Sequence, residues 1–147
     1  MKRYRSRINS LLAILTLFLF LSSAATGTDY RAPDSVEGAT TISAEQAKAL
    51  SDQGVVFIDV RNPRLYARRH IPGANHLDLM NSFTKESLEA VVGYEEPLVI
   101  YCSGVKCSRS SRSTAFAVSW GFKRVHYFRG GIVDWKKAGY PVETSDP

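Results

Sequence analysis

Three short apolar runs rich in β-branched residues, Val55-Val56-Phe57-Ile58-Asp59-Val60, Leu98-Val99-Ile100-Tyr101-Cys102 and Val125-His126-Tyr127-Phe128, are separated by stretches with helical patterning. Near-continuous apolar character is what a strand shows when both of its faces are covered. Strand and helix signals in alternation predict an α/β fold: one domain with a mostly parallel central sheet and helices on both faces. Such a sheet places its ligand site beyond the carboxyl ends of its strands. Cys102 is the last residue of the second run and stands at such an end.

The connecting segments carry their own punctuation. Thr40-Thr41-Ile42 reads as a short strand ending at Ser43, which caps a helix over 44–51 with Gln46 in the capping-box position. Asn62-Pro63 opens a helix to about Arg69, proline suiting the first turn. Ile71-Pro72-Gly73-Ala74 turns into an extended piece over 75–79, and 82–92 reads as a helix. A helix over 111–120 follows Cys102 and its loop, with Ser108 or Ser110 available as N-cap. Gly130-Gly131 turns into a last helix, 132–138, closed by Gly139.

The start of the chain predicts a compartment. Lys2, Arg3, Arg5 and Arg7 precede an apolar run from Leu11 to Leu21 broken only by Thr16, and then come Ser22-Ser23-Ala24-Ala25. This is the pattern of a signal peptide over 1–25, and the run falls short of the roughly 20 apolar residues that span a bilayer. The expectation is an exported protein, periplasmic if bacterial and otherwise secreted, with membrane contact only through an uncleaved signal segment. Residues 26–39 read as a flexible leader, 40–143 as the domain and 144–147 as a tail. The net charge of +5 is mostly export signal, because four of the 19 basic residues and none of the 14 acidic ones lie before residue 26. The remainder is near neutral, which argues against nucleic acid as a partner. Arg64, Arg68 and Arg69 read as a solvated helix face. With 44% hydrophobic residues the body can build one core, and without a long apolar heptad it reads as a monomer.

Cys102 is followed by Ser103-Gly104-Val105-Lys106-Cys107-Ser108-Arg109-Ser110. A thiol here meets loop amides, the positive end of a helix dipole and two cations, all of which favour a thiolate and attract anions. One reading is a nucleophile; the other is a small core residue at a strand end. Packing alone does not explain a glycine-containing basic loop, which brings the nucleophile reading level with the core one. The two cysteines are too few for a disulfide scaffold, but five positions apart in an exported chain they raise a redox hypothesis. Three histidines and two cysteines show no metal-ligand spacing, so no metal site and no cofactor are expected.

Four segments together resemble the rhodanese-like sulfurtransferase domains. They are Ile58-Asp59-Val60-Arg61 with Tyr66 and His70-Ile71-Pro72-Gly73-Ala74; Val99-Ile100-Tyr101-Cys102; Arg109-Ser110 with Ala115; and Val125 to Phe128 with Gly130-Gly131, Trp135 and Ala138-Gly139-Tyr140-Pro141-Val142. The resemblance covers roughly 40–143. It implies that Cys102 takes the outer sulfur of thiosulfate or another small anionic donor as a persulfide, then passes it to cyanide or a thiol. It implies an anion-binding loop over Ser103 to Ser110, with Lys106 or Arg109 holding the donor's oxygens. It also implies that Asp59 and Arg61 are a buried strand-end pair organising nearby loops. His70 reads as a turn histidine, Phe128 and Trp135 as core, and Tyr101 as pointing away from the face of Cys102.

The loop departs from the family pattern. A basic or hydroxyl residue usually stands five positions after the cysteine; here Cys107 does, and Arg109 comes at seven. The loop is similar to that of an exported subset with Cys-x-Gly-x-x-Cys. Cys107 has three readings: a resolving thiol, the nucleophile itself, or an inert small residue. A phosphatase of the related fold would separate cysteine and arginine by five residues, where this chain has six. A thiol–disulfide or sulfur-carrier protein, with a redox partner protein, is the alternative function.

Overall fold

The computed structural model describes residues 29–145, so the expected signal peptide over 1–25, the first residues of the expected leader and the last two of the expected tail lie outside the described residues. Its elements in chain order are β1 (Thr40–Thr41), α1 (Ala44–Asp52), β2 (Val56–Asp59), α2 (Pro63–Arg68), β3 (Asn75–His76), α3 (Lys85–Glu89), β4 (Pro97–Tyr101), α4 (Arg109–Ser119), β5 (Arg124–Phe128) and α5 (Gly131–Lys137). All four strand pairings are parallel, in the order β1-β5-β4-β2-β3. The parallel α/β expectation holds.

Side-chain alternation along the central strands splits the core in two. Leu98, Ile100 and Cys102 point to one face, with Ile58, Val60, Leu88, Ala117, Phe122 and Val125. Val99 and Tyr101 point to the other, with Ala44, Ala47, Phe57, Phe128, Ile132 and Trp135. Helices α3 and α4 cover the first face and α1 and α5 the second, which is why β4 reads as a continuous apolar run. Tyr101 and Cys102 therefore lie on opposite faces, and Phe128 and Trp135 are core, each 1% exposed.

Capping explains the well-placed helix starts. Ser43 Oγ accepts the Gln46 amide at 3.3 Å while Gln46 Oε1 accepts the Ser43 amide at 2.8 Å, the expected reciprocal box. Asn62 Oδ1 accepts the Leu65 amide at 3.0 Å ahead of Pro63. Several boundaries differ from expectation: the extended piece over 75–79 shortens to β3, β4 ends at Tyr101 rather than Cys102, and the last helix runs 131–137. The helix expected over 82–92 is confined to α3, because the Asp78 carbonyl gathers the Asn81, Ser82 and Phe83 amides into a turn and Thr84 starts the helix with its own capping box. The helix expected from 111 begins at Arg109. Ser108 occupies the N-cap position with helical dihedrals and no side-chain cap bond, so the backbone enters the helix early.

Candidate active site

Strand β4 pairs with β2 on one side and β5 on the other, so its carboxyl end is where three strand-end loops converge. Cys102 follows that end and is 1% exposed. The loop after it is held from below by α5. The Ile132 and Val133 amides donate to the Cys102 and Ser103 carbonyls, each at 3.1 Å. Such an approach needs Gly131, whose φ is +55° and where a Cβ would lie 2.3 Å from the Cys102 carbonyl oxygen. Gly131→Ala is therefore expected to cost about 1–2 kcal/mol from backbone conformation alone, with a further loss as the loop is pushed away. Urea unfolding reads the first effect, and the rate of thiol alkylation after reduction reads the second.

Cys102 and Cys107 are joined as a disulfide with Cα atoms 6.5 Å apart, and the Cys107 amide donates to the Gly104 carbonyl at 2.9 Å. Beside the pair is a cavity of about 640 Å³, walled by Ser103 to Arg109 on one side and by Gly130, Val133 and Asp134 on the other. Cys107 is on that wall; Cys102 lies behind it. Of the loop residues singled out from sequence, Ser103, Gly104, Val105, Lys106, Ser108 and Arg109 line the cavity. Ser110 does not: it is fully buried in the first turn of α4.

Both cations already hold carboxylates. Arg109 Nη1 lies 2.5 Å from Asp78 Oδ1, and Lys106 Nζ lies 2.7 Å from Asp29 Oδ2. The two pairs differ in burial. Asp78 is 2% exposed, whereas Lys106 and Asp29 are open to solvent on both sides, so theirs is a weak, exchangeable contact. Burial works to raise the Asp78 pKa, but the Met80 amide, Asn81 and Arg109 outweigh it and hold the carboxyl below its ordinary value. A depressed folded-state pKa gives stability that is present above the unfolded value, roughly pH 4, and lost as pH falls through the folded value. Thermal unfolding at pH 7 and pH 3 is expected to show that loss, and Asp78→Asn to show less of it over the same interval.

The leader is docked where it is described. Ala32 is buried and its amide donates to the Val105 carbonyl at 2.7 Å. Arg129 Nη2 donates to the Ala32 carbonyl at 2.8 Å and lies 2.9 Å from Asp34 Oδ1. The backbone of this segment finds partners on the active loop and at the end of β5.

Asp59 and Arg61 form a buried bidentate pair. Arg61 Nε donates to Asp59 Oδ1 at 2.9 Å and Nη2 to Oδ2 at 2.6 Å; Nη2 also donates to the Arg69 carbonyl at 2.6 Å. Burial would lower the Arg61 pKa, but the hydrogen bonds and charge of Asp59 outweigh it and the net shift is upward. The pair ties the end of β2 to the end of α2. His70 Nδ1 lies 3.0 Å from the Tyr66 carbonyl, with its ring stacked on Tyr66, while Arg64, Arg68 and Arg69 are exposed. Three residues at the site are not singled out from sequence, Asp78, Val133 and Asp134, whereas Gly130 belongs to a turn the sequence reading places at the border of the pocket. Glycine pairing at 130–131 is the signal for that turn; the three others are brought in by strand order.

With a parallel sheet, a buried cysteine directly after its central strand and a loop leading from it into a helix in place, the sequence supplies the family. The model of the rhodanese-like domain family matches residues 43–138, and the chain belongs to that family. It is 39% identical over 104 residues to the Pseudomonas fluorescens protein named thiosulfate sulfurtransferase GlpE, covering 71% of this chain and 90% of that one. It is also 39% identical over 111 residues to the Actinobacillus pleuropneumoniae protein of the same name, covering 72% and 94%. Among solved structures, a Bacillus halodurans protein superposes with a TM-score of 0.65 at 25% identity, covering 73% of this chain and 78% of that one.

Proposed function

We propose that the chain is a rhodanese-type sulfurtransferase that moves sulfane sulfur from thiosulfate or a related anion, through a Cys102 persulfide, to cyanide or a thiol. The observation that carries the reading is the position of Cys102: buried directly after the central strand, at the start of the loop that leads into α4. Relatives named for thiosulfate sulfur transfer support the same chemistry.

Reduction of the disulfide comes first, since a bonded sulfur cannot attack. The dipole of the 11-residue α4 and the loop amides then favour the Cys102 thiolate. That thiolate attacks the outer sulfur of thiosulfate. The sulfur–sulfur bond of the donor breaks and sulfite leaves with the bonding pair, while the enzyme persulfide keeps the single negative charge. Cyanide or a thiolate then takes the outer sulfur, and Cys102 returns to its thiolate. Lys106 is the cation best placed to meet the donor's oxygens, because its exposed contact with Asp29 can be exchanged for them; Arg109 is tied to buried Asp78.

The disulfide favours a second reading, a thiol–disulfide or sulfur-carrier protein acting with a redox partner. Export is part of the proposal as well: the basic, apolar and small-residue segments at the amino end fit a signal peptide, and a cysteine pair suits an oxidising compartment. The reading further takes the chain to act as a monomer. Thiocyanate formation from thiosulfate and cyanide decides between the two functions. The reduced chain is expected to turn over and the oxidised chain to be silent until reduced. Dithiol oxidation with neither thiocyanate nor sulfite released from the reduced chain would favour the second reading.

A further inference from the structure

Sulfur transfer as derived above gives Cys107 no task, yet it is the side chain covalently joined to the nucleophile. The two sulfurs differ in access. Cys102 is buried behind the loop, whereas Cys107 is partly exposed and forms part of the cavity wall. The loop is held at both ends of the pair: α5 amides hold the Cys102 and Ser103 carbonyls, and the Gly104 carbonyl holds the Cys107 amide. The bonded pair shows that this loop backbone lets the Cys107 sulfur reach the Cys102 sulfur.

We propose that Cys107 resolves the Cys102 persulfide, so that the chain releases the transferred sulfur as sulfide and is reset by an external dithiol; this rests on the persulfide reading above. Cys107 gives up its proton and its sulfur attacks Cys102 Sγ, the inner sulfur of the persulfide. The bond from Cys102 Sγ to the outer sulfur breaks, and the outer sulfur leaves with the bonding pair and the proton as HS⁻. The two cysteines lose two electrons and the sulfane sulfur gains them. Thiosulfate and the reduced pair thus yield sulfite, sulfide and the disulfide. A dithiol then restores both thiols. Access dictates which sulfur it attacks: the mixed disulfide forms on Cys107, at the cavity, and Cys102 departs as the thiolate its surroundings stabilise.

The test is a single turnover. The reduced chain, freed of reductant and oxygen, receives one equivalent of thiosulfate under flowing argon that carries sulfide to a zinc trap. Expected are one equivalent each of sulfite and sulfide, and a Cys102–Cys107 disulfide in the peptide map. Cys107→Ser is expected to yield sulfite without sulfide and to retain a persulfide on Cys102. Sulfite without sulfide from the unaltered chain, with Cys107 still open to alkylation, overturns the resolving role and leaves the persulfide reading standing. Absence of sulfite from both chains overturns the persulfide reading and the resolving role with it. An unfolding curve checks that Cys107→Ser is folded; if it is not, the stoichiometry of the unaltered chain decides alone.

Discussion

Cys102→Ser is expected to lower thiosulfate:cyanide sulfur transfer by on the order of 10³-fold or more, with the fold retained. A serine hydroxyl keeps its proton in surroundings that ionise a thiol, and it cannot hold sulfane sulfur in an exchangeable sulfur–sulfur bond. In the proposed mechanism position favours the thiolate: the cysteine directly follows β4 and opens the loop that leads into the start of α4. Thiocyanate formation measures the loss, and circular dichroism confirms that the variant is folded. Activity within tenfold of the unaltered chain would move the nucleophile elsewhere, with Cys107 the first place to look.

Asp59→Ala is expected to destabilise the domain by about 3–5 kcal/mol, the penalty for leaving a buried charge without its partner. Arg61 is 4% exposed and Asp59 fully buried, so water cannot replace either group. A domain of this size has about 5–15 kcal/mol of stability in all, so the variant sits near the edge of folding. The guanidinium also donates to the Arg69 carbonyl, so the change loosens the chain leading into His70 and Ile71. Urea unfolding of the single variant and of Asp59→Ala with Arg61→Met separates the causes. The double variant recovers part of the loss if the uncompensated charge is responsible, and none of it if packing is.

Legibility from sequence followed locality. The capping box at Ser43 and Gln46, the Asn62-Pro63 helix start, the apolar strand leading to Cys102 and the two faces of β4 depend on residues within a few positions of one another, and the structure agrees with each, β4 stopping at Tyr101. What depends on strand order was not legible. Asp78 reaches Arg109 across 31 positions because β2 lies beside β4, and Val133 and Asp134 reach the cavity because β5 lies on the other side. The contacts of residues 29–34 were not legible for the same reason. Nothing in Asp29 to Asp34 signals order, and its hydrogen bonds go to Val105 and Arg129, residues far along the chain. The loop illustrates both sides: its residues were recognisable in sequence, while the pairing of Lys106 with Asp29 and of Arg109 with Asp78 was not.

The most direct test of the central claim is peptide mass mapping of Cys107→Ser after reduction, removal of reductant and treatment with thiosulfate. Without a second thiol in the loop, the added sulfur has no internal route of escape. The account predicts one extra sulfur on the peptide carrying Cys102 and one equivalent of sulfite in solution. A folded variant with Cys102 unmodified and no sulfite released would contradict it.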